Sequence, residues 1–270
     1  MKAGRYRVRA VETGRFRLDG GAMFGTVPRV LWEKTNPPDE KNRIELALRS
    51  LVAEDGERRI LVDAGVGTSA FGPKETEMYA VKDRGPGLDP ASVTDVVLTH
   101  LHFDHAGGIV TDGRLTFPNA RHWLQRRNLE NARNPNDREK ASYLKQTWQV
   151  LVDSGRLELL DGEREFLPEI HPILSDGHTD GMQLIRVGAG PGAVVYCADL
   201  IPLLSHVRVP YTMGYDIHPG LLIEEKRRLL DEAEREGWLI FFEHDPKTAA
   251  CRLAREKDRV IAAAPVEMAA

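Results

Sequence analysis

The chain has little sulfur, little charge imbalance and no long apolar run. Only two cysteines, Cys197 and Cys251, occur in 270 residues, so no disulfide framework is expected. Cys197 sits in the apolar run 194–198, the setting of a buried thiol. The formal charge is only -4, and Lys and Arg are scattered rather than gathered in a block. That distribution offers no footprint for a polyanion, so nucleic acid is not an expected partner. No stretch approaches the length that crosses a bilayer, and the charged start 1–9 has no apolar segment behind it. A cytoplasmic protein without a membrane partner is the expectation. Linkers rich in Pro, Gly or Ser and short repeats are also missing, so 1–270 reads as one domain.

What is present is ordinary packed-protein composition, 41% hydrophobic and 29% charged. Short runs of alternating apolar and polar residues at 6–11, 15–18, 44–52 and 59–62 predict a β-meander. Asp55-Gly56 supplies a hairpin turn between the last two runs. The segment 20–38 has no clean period and reads as an ordered loop exposing apolar residues, among them Met23, Phe24 and Trp32. A buried strand is predicted at 95–99. Helices are predicted at 121–132 and at 139–152, where Leu144, Trp148 and Leu151 share a face. Strands at 157–160, 170–174, 182–187 and 193–198, a helix at 221–235 and a strand at 238–242 complete the pattern. Many strands with a few helices predict an α/β protein with sheets packed face to face under outer helices.

The strongest chemical signal is Thr99-His100-Leu101-His102-Phe103-Asp104-His105-Ala106-Gly107-Gly108, directly after the strand at 95–99. Three imidazoles and a carboxylate within six residues suit a divalent first-row metal, and the lack of thiol ligands argues against a closed structural zinc site. One loop cannot complete two coordination spheres. Further donors follow later apolar runs: His178 in Asp176-Gly177-His178, Asp199 after Cys197-Ala198, and His244 after Phe241-Phe242-Glu243. His122, His171 and His218 fit no such position and read as structural or surface residues.

This order of motifs resembles the two-metal hydrolases of the metallo-β-lactamase superfamily. The resemblance implies an αββα four-layer sandwich of two mixed sheets flanked by helices. It implies that His100, His102 and His178 bind one metal, that Asp104, His105 and His244 bind the other, and that Asp199 bridges both. Asp63, at the end of the run 59–62, matches an aspartate that orients the histidine loop from behind. The cofactor implied is a pair of divalent ions, zinc first, with manganese, cobalt or iron able to fill the same donors. A hydroxide held between them would attack an ester carbonyl, with Asp104 orienting it as well as ligating.

Within the superfamily, segments 21–32, 198–211 and 243–246 look like those of N-acyl homoserine lactonases. The resemblance implies lactone opening, with Met23, Phe24 and Trp32 as a surface for an acyl chain. In some of these lactonases a tyrosine stands three residues after the bridging aspartate. This chain has Pro202 there, so His206, Tyr211 or Tyr215 is expected to serve the leaving group instead. The alternative on the same scaffold is an organophosphate triesterase, arylesterase or thioester hydrolase. The expected partners are a small-molecule ester or lactone and, as an option the sequence leaves open, a second copy in a homodimer.

Overall fold

The computed structural model describes residues 1–67 and 69–268. Two mixed sheets carry the fold. The larger is ordered by the strands Lys2–Ala3, Tyr6–Asp19, Arg43–Glu54, Arg59–Val62, Asp95–Val97, Arg121–Gln125 and Leu157–Leu160, with Lys82–Asp83 pairing to Tyr6–Asp19. The second runs Ile170–Ser175, Met182–Val187, Val194–Tyr196, Leu239–Phe241, Ala250–Glu256 and Arg259–Val266.

Period-2 alternation decides which side of the larger sheet each residue covers. Leu51, Ala53, Ile60, Val62 and Val97 pack into one core with Leu184, Ile185, Tyr196 and Phe241 of the second sheet. Their neighbours Val52, Leu61 and Val96 turn the other way, onto Leu129, Trp148 and Leu151 of the helices Arg126–Arg133 and Lys145–Asp153. The helix Pro219–Glu236 covers the second sheet with Leu222, Leu229, Leu230 and Ala233. The four-layer α/β sandwich expected from the sequence is the one found.

Four local expectations are corrected. Runs 6–11 and 15–18 are one strand, Tyr6–Asp19, with a register shift between Glu12 and Gly14. A Cβ on Gly14 would lie 2.7 Å from the Lys82 carbonyl, so the bulge needs glycine there. The predicted helix 121–132 begins only at Arg126, because Arg121–Gln125 is drawn in as a strand parallel to both Asp95–Val97 and Leu157–Leu160. The predicted helix 139–152 is confined to Lys145–Asp153, because Glu139 and Tyr143 are turned towards the histidine loop, where Tyr143 bridges His102.

The fourth correction concerns 20–38, which holds two short helices, Gly20–Phe24 and Arg29–Trp32, the first capped by Asp19 accepting from the Ala22 N–H at 2.8 Å. Met23, Phe24 and Trp32 are core rather than surface: 1%, 0% and 2% exposed, with the Phe24 and Trp32 rings stacked at 5.2 Å. Buried so, they offer no surface to an acyl chain, and of the large apolar residues in this segment only Val30 and Leu31 stand out in solvent.

Two expectations follow. Phe24→Ala is expected to cost about 3–5 kcal/mol of stability, read as a lowered urea midpoint; an unchanged midpoint with altered substrate affinity would restore Phe24 to the binding surface. His122 is fully buried, and burial first, then Arg156, pushes its imidazole down to about 4. The unfolded chain therefore takes up this proton near the ordinary histidine value, before the folded one does. Stability should fall as pH drops from about 6.5 towards 4, by roughly 1.4 kcal/mol per pH unit from this one group. His122→Phe should remove that part of the slope, and equal slopes in the two proteins would contradict it.

Candidate metal centre

Parallel strand pairs in each sheet deliver the polar residues to one edge. Arg59–Val62 and Asp95–Val97 run parallel and end at Asp63 and at Thr99-His100. Val194–Tyr196 and Leu239–Phe241 also run parallel and end before Asp199 and His244. Ala198 adopts φ 42°, a conformation costly for a residue with a Cβ, and thereby sets the direction of Asp199. Asp104 and His105 lie on the short helix Phe103–Ala106. The Gly107-Gly108 pair that follows is pressed against 64–66, where a Cβ on Gly108 would meet the Ala64 carbonyl oxygen at 2.1 Å. His178 lies in the turn between Ile170–Ser175 and Met182–Val187. Glu225 of the long helix holds this turn, accepting from Ser175 Oγ at 2.7 Å, Asp176 N at 2.9 Å and Gly177 N at 3.1 Å.

The seven predicted ligands converge in two groups. His100, His102, His178 and Asp199 form one and Asp104, His105 and His244 the other, with one donor atom per residue lying within 4.8 Å of the rest of its group. Asp199 joins them. Its Oδ2 is 3.1 Å from His178 Nε2, 3.5 Å from His105 Nε2 and 4.0 Å from His100 Nε2, while its Oδ1 is 3.4 Å from His244 Nε2. His178 Nε2 and His102 Nδ1 approach to 3.2 Å, and His244 Nε2 and His105 Nε2 to 3.3 Å. Donors in a tetrahedral zinc site with Zn–N bonds of about 2.0–2.1 Å stand roughly 3.3–3.4 Å apart. The residues present fit a metal site on spacing as well as on chemistry.

Hydrogen bonds behind the imidazoles decide which nitrogen faces inward. The Thr99 hydroxyl donates to Asp63 Oδ2 at 2.7 Å, so the 3.0 Å contact with His100 must use the Nδ1 hydrogen of that ring. His105 donates from Nδ1 to Asp63 Oδ2 at 2.9 Å, His178 from Nδ1 to Asp216 Oδ1 at 3.0 Å, and His244 from Nδ1 to the Ala47 carbonyl at 2.9 Å. His102 is reversed, with Nε2 turned towards Glu139 Oε2 at 3.7 Å and Nδ1 inward. Each ring thus turns one nitrogen into the shared space, where it can bind a cation in exchange for any proton it carries. Among the described residues, His100 Nε2, His102 Nε2 and Asp199 Oδ1 are buried without any hydrogen-bond partner.

The electrostatics favour positive charge between these groups. Burial first, and then the imidazoles of His105, His102 and His178, holds His100 well below the ordinary histidine range. Burial also opposes a charged His178, yet Asp199 and Asp216 lift it to about 10. His244 rises to about 9 for the same kind of reason, with Glu243 and Asp199 overcoming burial. Asp199 is itself held well below the usual carboxylate range, because His178 and His105 outweigh its desolvation. Glu243, directly before His244, is pushed up by burial to about 7.

Asp63 occupies the orienting position expected of it and accepts three hydrogen bonds from Thr99 and His105. Two other expectations fail. His206 is buried with its ring on Phe24, burial pushes it down to about 3 so that it stays neutral, and its one ring hydrogen is engaged by the Met23 carbonyl 2.9 Å from Nε2. Tyr211 receives a hydrogen bond from Arg208 at 3.2 Å and lines a cleft of about 1100 Å³ whose described walls include none of the seven donors.

Three carboxylates were missed: Glu139 behind His102, Asp216 behind His178 and Glu243 behind His105. Only Glu243, beside His244, carried a signal in sequence. A half-buried aromatic trio also escaped notice. Phe71, Tyr79 and Phe103 meet with ring centroids 4.8–5.5 Å apart, next to Asp104 on the ligand helix.

The metallo-beta-lactamase superfamily model matches residues 49–244. An N-acyl homoserine lactonase of a Bacillus species is 26% identical over 255 residues, 87% of this chain and 91% of its own. A Staphylococcus aureus crystal structure, described as a probable metal-dependent hydrolase, has a TM-score of 0.89 at 27% identity and covers 99% of this chain and 100% of that one. A dizinc quorum-quenching lactonase solved with a product shares the fold, with a TM-score of 0.80 at 17% identity over 99% of this chain and 97% of its own. The family match runs through all seven converging positions, and the chain belongs to the metallo-beta-lactamase superfamily as one of its hydrolases.

Proposed function

We propose that the chain is a hydrolase dependent on two divalent cations that opens lactones of the N-acyl homoserine type. The observation that carries this reading is the position of Asp199, whose two oxygens face imidazoles of both donor groups at 3.1–4.0 Å. In this reading His100, His102 and His178 hold one cation, Asp104, His105 and His244 hold the other, and Asp199 lies between them. Bound there, the cations would supply Lewis-acid polarisation of an ester carbonyl and a water acidic enough to attack near neutral pH.

The side chains do the positioning. Asp104 is 7% exposed, its Oδ2 3.7 Å from His244 Nε2, and it can accept the proton of an attacking water. The aromatic trio of Phe71, Tyr79 and Phe103 takes the role first assigned to Met23, Phe24 and Trp32, an apolar wall for an acyl chain beside the ligand loop. With His206 and Tyr211 committed elsewhere, the candidate donors to the leaving group are Tyr215, which was expected, and Tyr79, both within the field of Asp104. Burial, and then the charge of Asp104, keeps the Tyr79 phenol protonated. The lactonase relative that aligns along 87% of the chain supports an acyl lactone as substrate. The same centre would cleave phosphotriesters or aryl esters as secondary substrates, since the attack is the same.

Homoserine lactones of increasing acyl length test this reading. If the chain reaches the aromatic wall, kcat/KM should climb about fourfold per added methylene, from roughly 0.8 kcal/mol per buried CH₂. Phe103→Ala should flatten that series. A flat series in the unaltered protein, with simple aryl esters turned over equally well, would overturn the lactone assignment.

A further inference from the structure

One buried carboxylate is left over once each donor ring has been given its partner. Glu243 is 1% exposed and follows the strand Leu239–Phe241. Its Oε2 lies 2.8 Å from His105 Nδ1. That nitrogen already lies 2.9 Å from Asp63 Oδ2, so two carboxylates converge on a single N–H. Asp63 is otherwise satisfied by Thr99, through the backbone N–H at 2.8 Å and the hydroxyl at 2.7 Å. Among the described residues neither oxygen of Glu243 completes a hydrogen bond: Oε1 has no partner, and Oε2 is close to His105 Nδ1 while the hydrogen of that nitrogen points to Asp63. The buried guanidinium of Arg49 gives no relief, because its Nη1 is taken by the Phe242 and Asp245 carbonyls.

A carboxylate buried without partners is costly unless positive charge compensates it. Here the accessible route to such charge runs through the His105 ring, whose far nitrogen belongs to the group with Asp104 and His244. We infer that Glu243 is a positioning residue for that group. Asp63 holds His105 from behind by a hydrogen bond, and Glu243 stands against the same ring nitrogen and adds negative charge that strengthens the ring as a donor, so it tightens the hold on one cation and not on the other. This inference rests on the two-cation reading above. A carboxylate behind a ligating histidine is a common device, but the pair of carboxylates found here is confined to His105. His178 faces Asp216, His102 faces Glu139, and His244 is backed by the Ala47 carbonyl.

The test is zinc titration of the metal-stripped full-length protein against a chromophoric chelator, for the wild type, Glu243→Gln and Glu243→Asp. Circular dichroism melts of the stripped proteins establish that all three are folded. Wild type should take two ions, and a single ion would overturn the two-cation reading and this inference with it. Given two, Glu243→Gln should weaken one by about 10–100-fold and leave the other within about twofold. Glu243→Asp, which keeps the charge but not the length, should recover part of the loss. Cobalt-loaded Glu243→Gln should show altered d–d bands from one site only. If Gln binds both ions as the wild type does, or weakens both equally, Glu243 does not act through His105. If Asp is worse than Gln, shape rather than charge is what matters, and the inference is overturned.

Discussion

Five imidazoles and two carboxylates are buried in one small space, and His100, His105, His178 and His244 each have Nδ1 held outward by an acceptor behind it, while His102 turns Nε2 towards Glu139. Ring nitrogens of His178 and His102, and of His244 and His105, face each other at 3.2 and 3.3 Å. Such an arrangement needs a proton or a metal cation between the donors, and most of the architecture near the site can be understood as holding the donors in place for it. Two sheets contribute parallel strand pairs that end at the same edge, so residues 63, 100, 199 and 244 arrive on rigid supports. Gly107-Gly108 lets the ligand helix press onto 64–66, and Gly177 lets the His178 turn lie against Leu222, whose Cα would be 2.4 Å from a Cβ there.

Much of the donor set was legible because its chemistry is local. His100, His102, Asp104 and His105 lie within six residues, and the later donors follow apolar runs whose strand character is plain. The four-layer class was legible for a similar reason, since period-2 runs and a few helical stretches dominate the chain. What could not be read were features created by tertiary pairing. Arg121–Gln125 has the look of a helix, yet two parallel neighbours recruit it as a strand. The carboxylates of Glu139 and Asp216 stand far in sequence from the rings they face, and nothing in their own neighbourhoods marks them.

The apolar residues near the N-terminus teach the converse lesson. Met23, Phe24 and Trp32 sit among glycines and prolines, a context that suggests exposure, but two short helices fold them inward. Their large side chains brace the loop that carries His206, whose ring lies against Phe24. The apolar surface beside the donors comes instead from Phe71, Tyr79 and Phe103. One of these, Phe103, lies inside the histidine motif itself, between His102 and Asp104. On the proposed reading, substrate preference and metal binding would be coupled through a single turn of helix.

The account stands or falls on whether the two donor groups hold one cation each with Asp199 between them. Crystals of the protein loaded with zinc, measured on both sides of the zinc absorption edge, test this directly. Two anomalous peaks should appear, one among His100, His102 and His178 and one among Asp104, His105 and His244, both in contact with the Asp199 carboxylate. A single peak, or peaks away from these residues, would contradict it.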